Sequence, residues 1–330
     1  MRIHRFLTRS SPRTVALVLA LFTLLCGTSF AATDWSAIQA ALGADGVELP
    51  GNVLRFELVR GDLTVTINGT ALPDGEQAEV ANGYLGFKKV EGSHSFFVDG
   101  SLPAQESELA ALELALRQNN KIHITAIVNH VVLETPKLVW VHFEATGNGA
   151  ELATSLAEAL KTIHSPQLNV LVIPGTNTVF DPSLLPPQFQ KLFEEGWIEQ
   201  LNHIFVFYLP RPDEHRITVG PVKAETGLGV GQSFYIQIPS FEGGTNQVTL
   251  HIDFALRADE IQPVEDELRA GGFAISAQHN QFVNDSPHLY FVHASASGDG
   301  VALGNTLLDV IQIIEQQAKR NHDHDHDWDD

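Results

Sequence analysis

Histidines and carboxylates recur together in a short stretch of chain that this sequence contains twice. They are His130, Glu134 and His142 in the first occurrence, and His279, Asp285 and His293 in the second, with His288 close by. Imidazole nitrogens and carboxylate oxygens are ligands for divalent transition metals such as Zn, Cu and Ni. A lone histidine on a half-buried strand is more often a packing residue, but the recurrence of the group strengthens the interpretation as a metal site.

The spacing of these residues fits a β-hairpin. Residues i and i+2 of a strand point to one face, and the return strand places a third residue about 5 Å away. Glu134-Thr135-Pro136-Lys137 is predicted to be the turn, because proline interrupts the hydrogen-bonded ladder. We therefore expect His130 and His142 to lie on neighbouring strands, with Glu134 at the hairpin end.

A second group of candidate ligands lies at the C-terminus. His322, His324 and His326 alternate with aspartates. We predict a disordered tail over residues 320–330. Its histidines and aspartates can bind Zn, Cu or Ni as a separate site of low specificity, or the tail can be simply solvated.

The elements that carry the hairpins belong to a duplicated domain. Residues 122–149 and 273–300 align without a gap at an offset of 151, and 11 of 28 positions are identical. Arg60 and Asp62 match Arg211 and Asp213 at the same offset. Because the match reaches far beyond the hairpin, we interpret it as duplication of a whole domain.

Hydrophobic periodicity predicts the elements of each copy. Alternating residues after Ile122 indicate a strand, whereas Leu152, Leu156 and Leu160 recur at helical spacing. The predicted fold class is α+β, with two tandem copies of an antiparallel sheet covered by helices. The copies are assigned to residues 32–165 and 201–319, with a linker region over 166–200 that includes a short helix at Gln188–Gln200.

The sequence resembles the LppY/LpqO family of exported bacterial proteins, itself a family of unknown function. The resemblance rests on the segments 62–66, 125–126, 129–130, 134–136 and 141–142. Family members show a Thr-Ala-x-His-Asn-His strand, a Glu-x-Pro turn and a histidine on the return strand. The resemblance implies a shared fold and a shared candidate site.

Each copy departs from the family pattern at a different histidine. Val128 replaces the first histidine of the first copy, and Gln281 replaces the second histidine of the second copy. Three interpretations follow: a three-ligand site in each copy that uses the turn carboxylate, one composite site across the copies, or loss of metal binding.

The N-terminus is typical of a signal peptide. Four arginines precede an apolar run from Val15 to Cys26, which is too short to span a bilayer. We predict cleavage after Ala31, and rank lipidation at Cys26 or an uncleaved anchor below it. The mature chain would be periplasmic or secreted, with no transmembrane span and no cysteine.

Composition excludes several functions. Removing the four leader arginines leaves 16 basic against 40 acidic residues, a formal charge of −24, which disfavours nucleic acid as a partner. Without thiols, disulfides and cysteine catalysis are excluded, and no Gly-x-Ser-x-Gly elbow is present. The favoured interpretation is a non-catalytic metal-binding protein. The alternatives are a metal-dependent enzyme with a general base such as Glu144, or a metal-free binding module.

Overall fold

The computed structural model describes residues 33–67, 70–71, 81–163, 167–169, 185–192, 197–201, 204–237 and 247–326. The predicted signal peptide (1–31) and much of the predicted linker region lie outside these ranges. In the described part of the chain, no helix has both the length and the apolar character needed to cross a membrane.

Two large antiparallel sheets have the same strand order, one in each copy. The first sheet runs β1-β2-β5-β6-β9-β7 and the second β11-β12-β15-β16-β19-β17. The strands of the first sheet are β1 (Val47–Leu49), β2 (Val53–Val59), β5 (Asn82–Lys89), β6 (Phe96–Gln105), β7 (Ile122–Val128), β9 (Leu138–Gly147) and β10 (Gln167–Asn169), which pairs with β2. Those of the second are β11 (Trp197–Leu201), β12 (Ile204–Pro210), β15 (Gly231–Gln237), β16 (Gln247–Arg257), β17 (Ala274–His279) and β19 (Leu289–Asp299).

Each copy also has a small three-stranded sheet that includes the hairpin turn. These sheets consist of β3 (Thr66–Ile67), β4 (Thr70–Ala71) and β8 (Glu134–Thr135) in the first copy, and β13 (Thr218–Val219), β14 (Val222–Lys223) and β18 (Asp285–Ser286) in the second. The predicted turn at residues 134–137 therefore begins with a short strand. Its pairing with β3 or β13 anchors the hairpin to an earlier part of the same copy.

Helices cover one face of each large sheet. The described α-helices are α1 (Ser36–Leu42), α2 (Glu106–Gln118), α3 (Gly149–Leu160), α4 (Pro187–Leu192), α5 (Ala258–Ala270) and α6 (Gly300–His326). In the first copy, the leucines of α2 and α3 pack against Val141 and Phe143 of β9. In the second copy, α5 and α6 pack against Val292 and Ala294 of β19. The α+β prediction, with antiparallel sheets under helices, is confirmed.

The opposite faces of the two sheets meet each other. Phe97 of β6 and Phe291 of β19 belong to one buried apolar cluster, although they come from different copies. Because side chains alternate along a strand, His142 lies on the face opposite Val141 and Phe143. Residues 35–330 form one compact unit. The histidines therefore lie where the two copies join.

In each copy a buried arginine ties the helix that precedes the hairpin, α2 or α5, to its sheet. Arg60 pairs with both carboxylate oxygens of Glu108 at 2.8 and 3.0 Å, and Arg211 pairs with those of Glu260 at 2.8 and 2.9 Å. Each glutamate also accepts the backbone N–H of the residue that caps its helix. The repeated Arg-x-Asp motif thus fixes the helix start.

Two local expectations differ from the structure. The helix predicted at Gln188–Gln200 is shorter, Pro187–Leu192, and residues 197–201 form β11 instead. Pairing of β11 with β12 supplies the edge of the second sheet, so tertiary pairing overrides the local helical pattern. The tail expected to be disordered from residue 320 continues α6 as far as His326.

Candidate metal centre

Four histidines, two from each copy, converge at the junction of the sheets. His142 lies in the middle of β9 and His293 at the equivalent position of β19. His130 follows the end of β7, and His279 is the last residue of β17. Each hairpin therefore presents one histidine from its return strand and one from the end of its first strand.

Both hairpins carry the same irregularity beside the return-strand histidine. The register of β7 with β9 shifts between Ile124 and Ala126, and Ala126 then pairs with His142. The register of β17 with β19 shifts in the same way before Ala277, which pairs with His293. A β-bulge bends a strand and re-aims its side chains. The bulges therefore turn the strand ends toward the junction.

The Nε2 atoms of the four histidines form two close pairs. Nε2 of His130 lies 3.0 Å from Nε2 of His142, and Nε2 of His279 lies 3.0 Å from Nε2 of His293. Across the copies, the rings of His130 and His293 stack with centroids 3.9 Å apart. Ligand atoms of His130, His279 and His293 all lie within 4.8 Å of one another. The pairs belong to one cluster.

Burial keeps these imidazoles neutral. It lowers the pKa of His130, His142 and His293 well below the ordinary value, and neighbouring imidazoles lower it further. Burial also lowers the pKa of His279, against the opposing effect of a hydrogen bond with the Asn280 carbonyl. Because a carbonyl only accepts, Nδ1 of His279 carries the proton and donates it at 3.1 Å. Its Nε2 therefore directs a lone pair into the cluster.

The turn carboxylates are engaged within their own hairpins. Glu134 accepts the N–H of Leu138 at 3.4 Å and pairs with Lys137 at 3.3 Å. Asp285 likewise accepts the N–H of Leu289 at 2.6 Å and contacts Nδ1 of His288 at 2.8 Å. The structure therefore brings the four predicted histidines together but leaves Glu134 and Asp285 at the hairpin turns.

Another carboxylate reaches the cluster. Oδ1 of Asp253, on β16, lies 3.8 Å from Nε2 of His293. This oxygen is buried, and among the described residues it has no hydrogen-bond partner. Burial raises the pKa of Asp253 to about 8. Asp253 faces His293 because β16 and β19 pair at these two residues.

A cavity of about 90 Å³ opens beside the cluster, between the inner faces of the two sheets. The first copy contributes Arg55, Tyr84 and Ser101, and the second contributes Ser233 and Tyr235. Arg55 stacks on the Tyr84 ring at 3.9 Å and forms an ion pair with Glu57. The cavity therefore has polar walls, to which both copies contribute.

Contacts between the copies hold the walls of this cavity. The Tyr84 hydroxyl donates to Asp99 at 2.7 Å and accepts from Gln281 at 2.6 Å. Gln281, which stands at the position equivalent to His130, thus links the second copy to the first. Asn82 donates to the Tyr235 hydroxyl at 2.8 Å across the same junction.

The remaining predicted site residues lie elsewhere. Glu144, considered as a general base, is buried and accepts hydrogen bonds from Val283 and Asn284 of the other copy. His322 is exposed near the end of α6, 3.5 Å from Asp323. The side chains of His324 and His326 lie outside the described part of the structure.

Sequence reasoning missed Asp253, Tyr235 and Arg55. One signal could have found them: each strand that carries them alternates apolar residues with polar ones, as in His251-Ile252-Asp253-Phe254. Alternation usually marks a solvated face. Here the polar face is turned toward the second sheet.

The comparisons with known proteins agree with a duplicated domain. Residues 36–162 and 190–312 each match the family model described as Domain of Unknown Function (DUF1259). No curated protein matches the chain. Among solved structures, the chain is similar to the trimeric bacterial microcompartment shell protein PduB at 10% identity, over 83% of this chain and 92% of that one, with a TM-score of 0.22. That value is too low to carry an argument. On the strength of the two matched segments, the chain belongs to the DUF1259 family and contains its domain twice.

Proposed function

We propose that this protein binds one divalent transition metal ion at a composite site formed by His130, His142, His279 and His293. The observation that carries the proposal is the clustering of four neutral imidazoles, two from each copy: ligand atoms of His130, His279 and His293 lie within 4.8 Å of one another, and Nε2 of His142 lies 3.0 Å from that of His130. Positively charged imidazoles would repel one another there, whereas neutral ones present lone pairs to a cation.

The spacing of the ring nitrogens supports an ion. Ligands about 2.0–2.1 Å from a metal are separated by about 2.8–3.0 Å at right angles and by about 3.3–3.4 Å in a tetrahedron. Both Nε2 pairs are 3.0 Å apart. Asp253, whose nearest oxygen is 3.8 Å from the His293 nitrogen, supplies a fifth donor after a small shift. Nitrogen-rich sites of this kind suit Zn, Cu and Ni.

The proposal includes export. The arginine-rich N-terminus and the resemblance to the LppY/LpqO proteins support a periplasmic or secreted location. A metal-dependent enzyme is the second candidate, because the cavity beside the cluster provides space for a substrate at the ion. The metal-free alternative is that each 3.0 Å contact is an ordinary hydrogen bond between two imidazoles.

Metal titration separates these functions. The protein would be expressed without residues 322–330, so that the terminal histidines cannot bind the ion themselves. Calorimetric titration with Zn²⁺ and metal analysis of the dialysed protein should both give one ion per chain. Replacing a ligand in either copy, His142→Ala or His293→Ala, should weaken binding by roughly 100-fold or more, beyond the effect typical of an outer-shell residue.

A matched variant controls for loss of any histidine. His215→Ala removes an exposed imidazole outside the cluster and should leave the affinity unchanged. Two ions per tail-free chain would indicate separate hairpin sites and contradict the composite site. Absence of binding would leave the histidines as packing residues of a binding module.

A further inference from the structure

The cavity beside the four histidines has the size of a small organic molecule. Its volume is about 90 Å³. An engineered cavity of about 150 Å³ in another protein binds benzene, which has six heavy atoms. The space therefore suits a ligand of roughly four heavy atoms, and an aromatic ring is too large.

The walls offer hydrogen-bond donors that have no acceptor within the described structure. The Tyr235 oxygen accepts from Asn82 at 2.8 Å, so its own proton is left to donate. Burial raises the pKa of Tyr235, which keeps that proton in place. The hydroxyls of Ser101 and Ser233 also line the cavity, and neither has a hydrogen bond to another described residue. Three hydroxyl groups can thus donate to one small acceptor.

The charges around the cavity favour an anion. Arg55 is balanced by Glu57, with which it forms an ion pair. Asp99 lies behind Tyr84, and burial raises its pKa well above the ordinary value, which disfavours the charged form of its carboxyl group. A divalent ion adds two positive charges to uncharged imidazoles, and Asp253, 3.8 Å from His293, can offset only one of them, so positive charge remains. An uncompensated buried charge is costly, and one anion would remove it.

We propose that the cavity binds a small monocarboxylate anion, of the size of acetate, as a co-ligand of the metal. The inference rests on the proposed metal site. One carboxylate oxygen of the anion coordinates the metal ion, and the other accepts hydrogen bonds from the hydroxyl groups of Tyr235, Ser101 and Ser233. A donor set of this kind distinguishes a carboxylate from a neutral molecule of the same shape, because hydrogen bonds to charged groups are the stronger ones.

The experiment uses tail-deleted protein loaded with Co²⁺, whose visible absorption changes when its coordination sphere changes. Sodium acetate is titrated into the loaded protein in a buffer that does not coordinate metals. Acetamide serves as the neutral probe of equal size, and benzoate as the anion with a ring. We expect a saturable spectral change with acetate and none with acetamide or benzoate.

Variants locate the anion in the cavity. Tyr235→Phe should weaken acetate binding roughly tenfold or more, the value of a hydrogen bond to a charged group, while the cobalt content stays the same. Tyr290→Phe is the matched control, since Tyr290 is half-exposed and does not line the cavity. Ser233→Ala provides a second donor deletion with a smaller loss of volume, and should also weaken acetate.

The outcomes separate this inference from the proposed function. Protein that binds no cobalt contradicts the metal site and the inference together. Protein that binds cobalt but shows no response to acetate contradicts the inference alone. Equal responses to acetate and benzoate, or acetate affinity that Tyr235→Phe leaves unchanged, would place the anion outside the cavity and overturn it as well.

Discussion

The two buried arginine–glutamate pairs should respond differently to the same substitution. Arg60 and Arg211 have fully buried side chains, and each pairs with both oxygens of its glutamate, Glu108 or Glu260. Replacing the glutamate by glutamine keeps its shape but removes its charge. The expected loss of stability therefore depends on which other charges surround each arginine.

Those surroundings differ between the copies. In the second copy, Asp213 pairs with both Arg211 and Arg257, so Glu260→Gln leaves two guanidinium groups against one carboxylate. In the first copy, Asp62 pairs with one arginine, so Glu108→Gln leaves a balanced pair. Leaving a buried charge uncompensated costs about 3–5 kcal/mol. We expect a loss of about that size for Glu260→Gln, and about 1–2 kcal/mol, the cost of an unsatisfied buried group, for Glu108→Gln.

Chemical denaturation of tail-deleted, metal-free protein measures both values. Glu265→Gln is the matched control on the same helix, because its partner Arg269 is 54% exposed and such pairs contribute less than about 1 kcal/mol. Losses of equal size for Glu108→Gln and Glu260→Gln would refute the argument from residual charge. A greater loss in the first copy would refute it more strongly.

Four further predictions concern the site and the N-terminus. Zn²⁺ at about 100 times its Kd should stabilise the folded chain by about 2.7 kcal/mol, measured by thermal unfolding. His142→Ala and His279→Ala should each abolish this stabilisation. A variant that is still stabilised by zinc would contradict a site shared by both copies. Metal-free protein should lose stability as the pH falls below about 6.5, because burial depresses the pKa of the four histidines and they take up protons only on unfolding. Denaturation experiments between about pH 7 and pH 5 measure this loss, and a free energy of unfolding that does not change with pH would contradict the prediction. Asp285→Asn removes no ligand, but it weakens the acceptor for the Leu289 N–H at the hairpin turn. It should lower the zinc affinity measured by calorimetry roughly tenfold. Unchanged affinity would show that the turn does not position His279 and His293. Sequencing the exported protein should give a mature N-terminus near Ala32, and an intact Met1 would end that prediction.

Much of the fold could be predicted from the sequence, because the patterns that indicate its helices and strands are local or occur in both copies. The alternation after Ile122 and the leucine spacing of α3 each describe one element, and the duplication confirms each of them independently. The segment at 197–201 could not be assigned, since its strand exists only through pairing with β12. Local propensity does not record such pairing.

The site was predictable in its histidines but not in its assembly. Hairpin spacing identifies which imidazoles can share a face, and it indicates a carboxylate at the turn. It does not show that the Glu134 carboxylate accepts a hydrogen bond from the backbone N–H of Leu138. Nor does it show that Asp253, on another strand, lies 3.8 Å from His293. Both facts depend on how the two sheets meet, which is a non-local property.

Joining both copies in one chain changes how the four-histidine cluster can form. If each copy were a separate protein, the two ligand pairs would meet only through a bimolecular encounter, and occupancy would fall as the protein became dilute. A covalent link makes that encounter intramolecular, with an effective concentration on the order of millimolar or above. Metal affinity at the proposed site would then be independent of the protein concentration. Each copy supplies only two of the four histidines, with Val128 at the position equivalent to His279 and Gln281 at the position equivalent to His130, so the cluster is complete only with both copies.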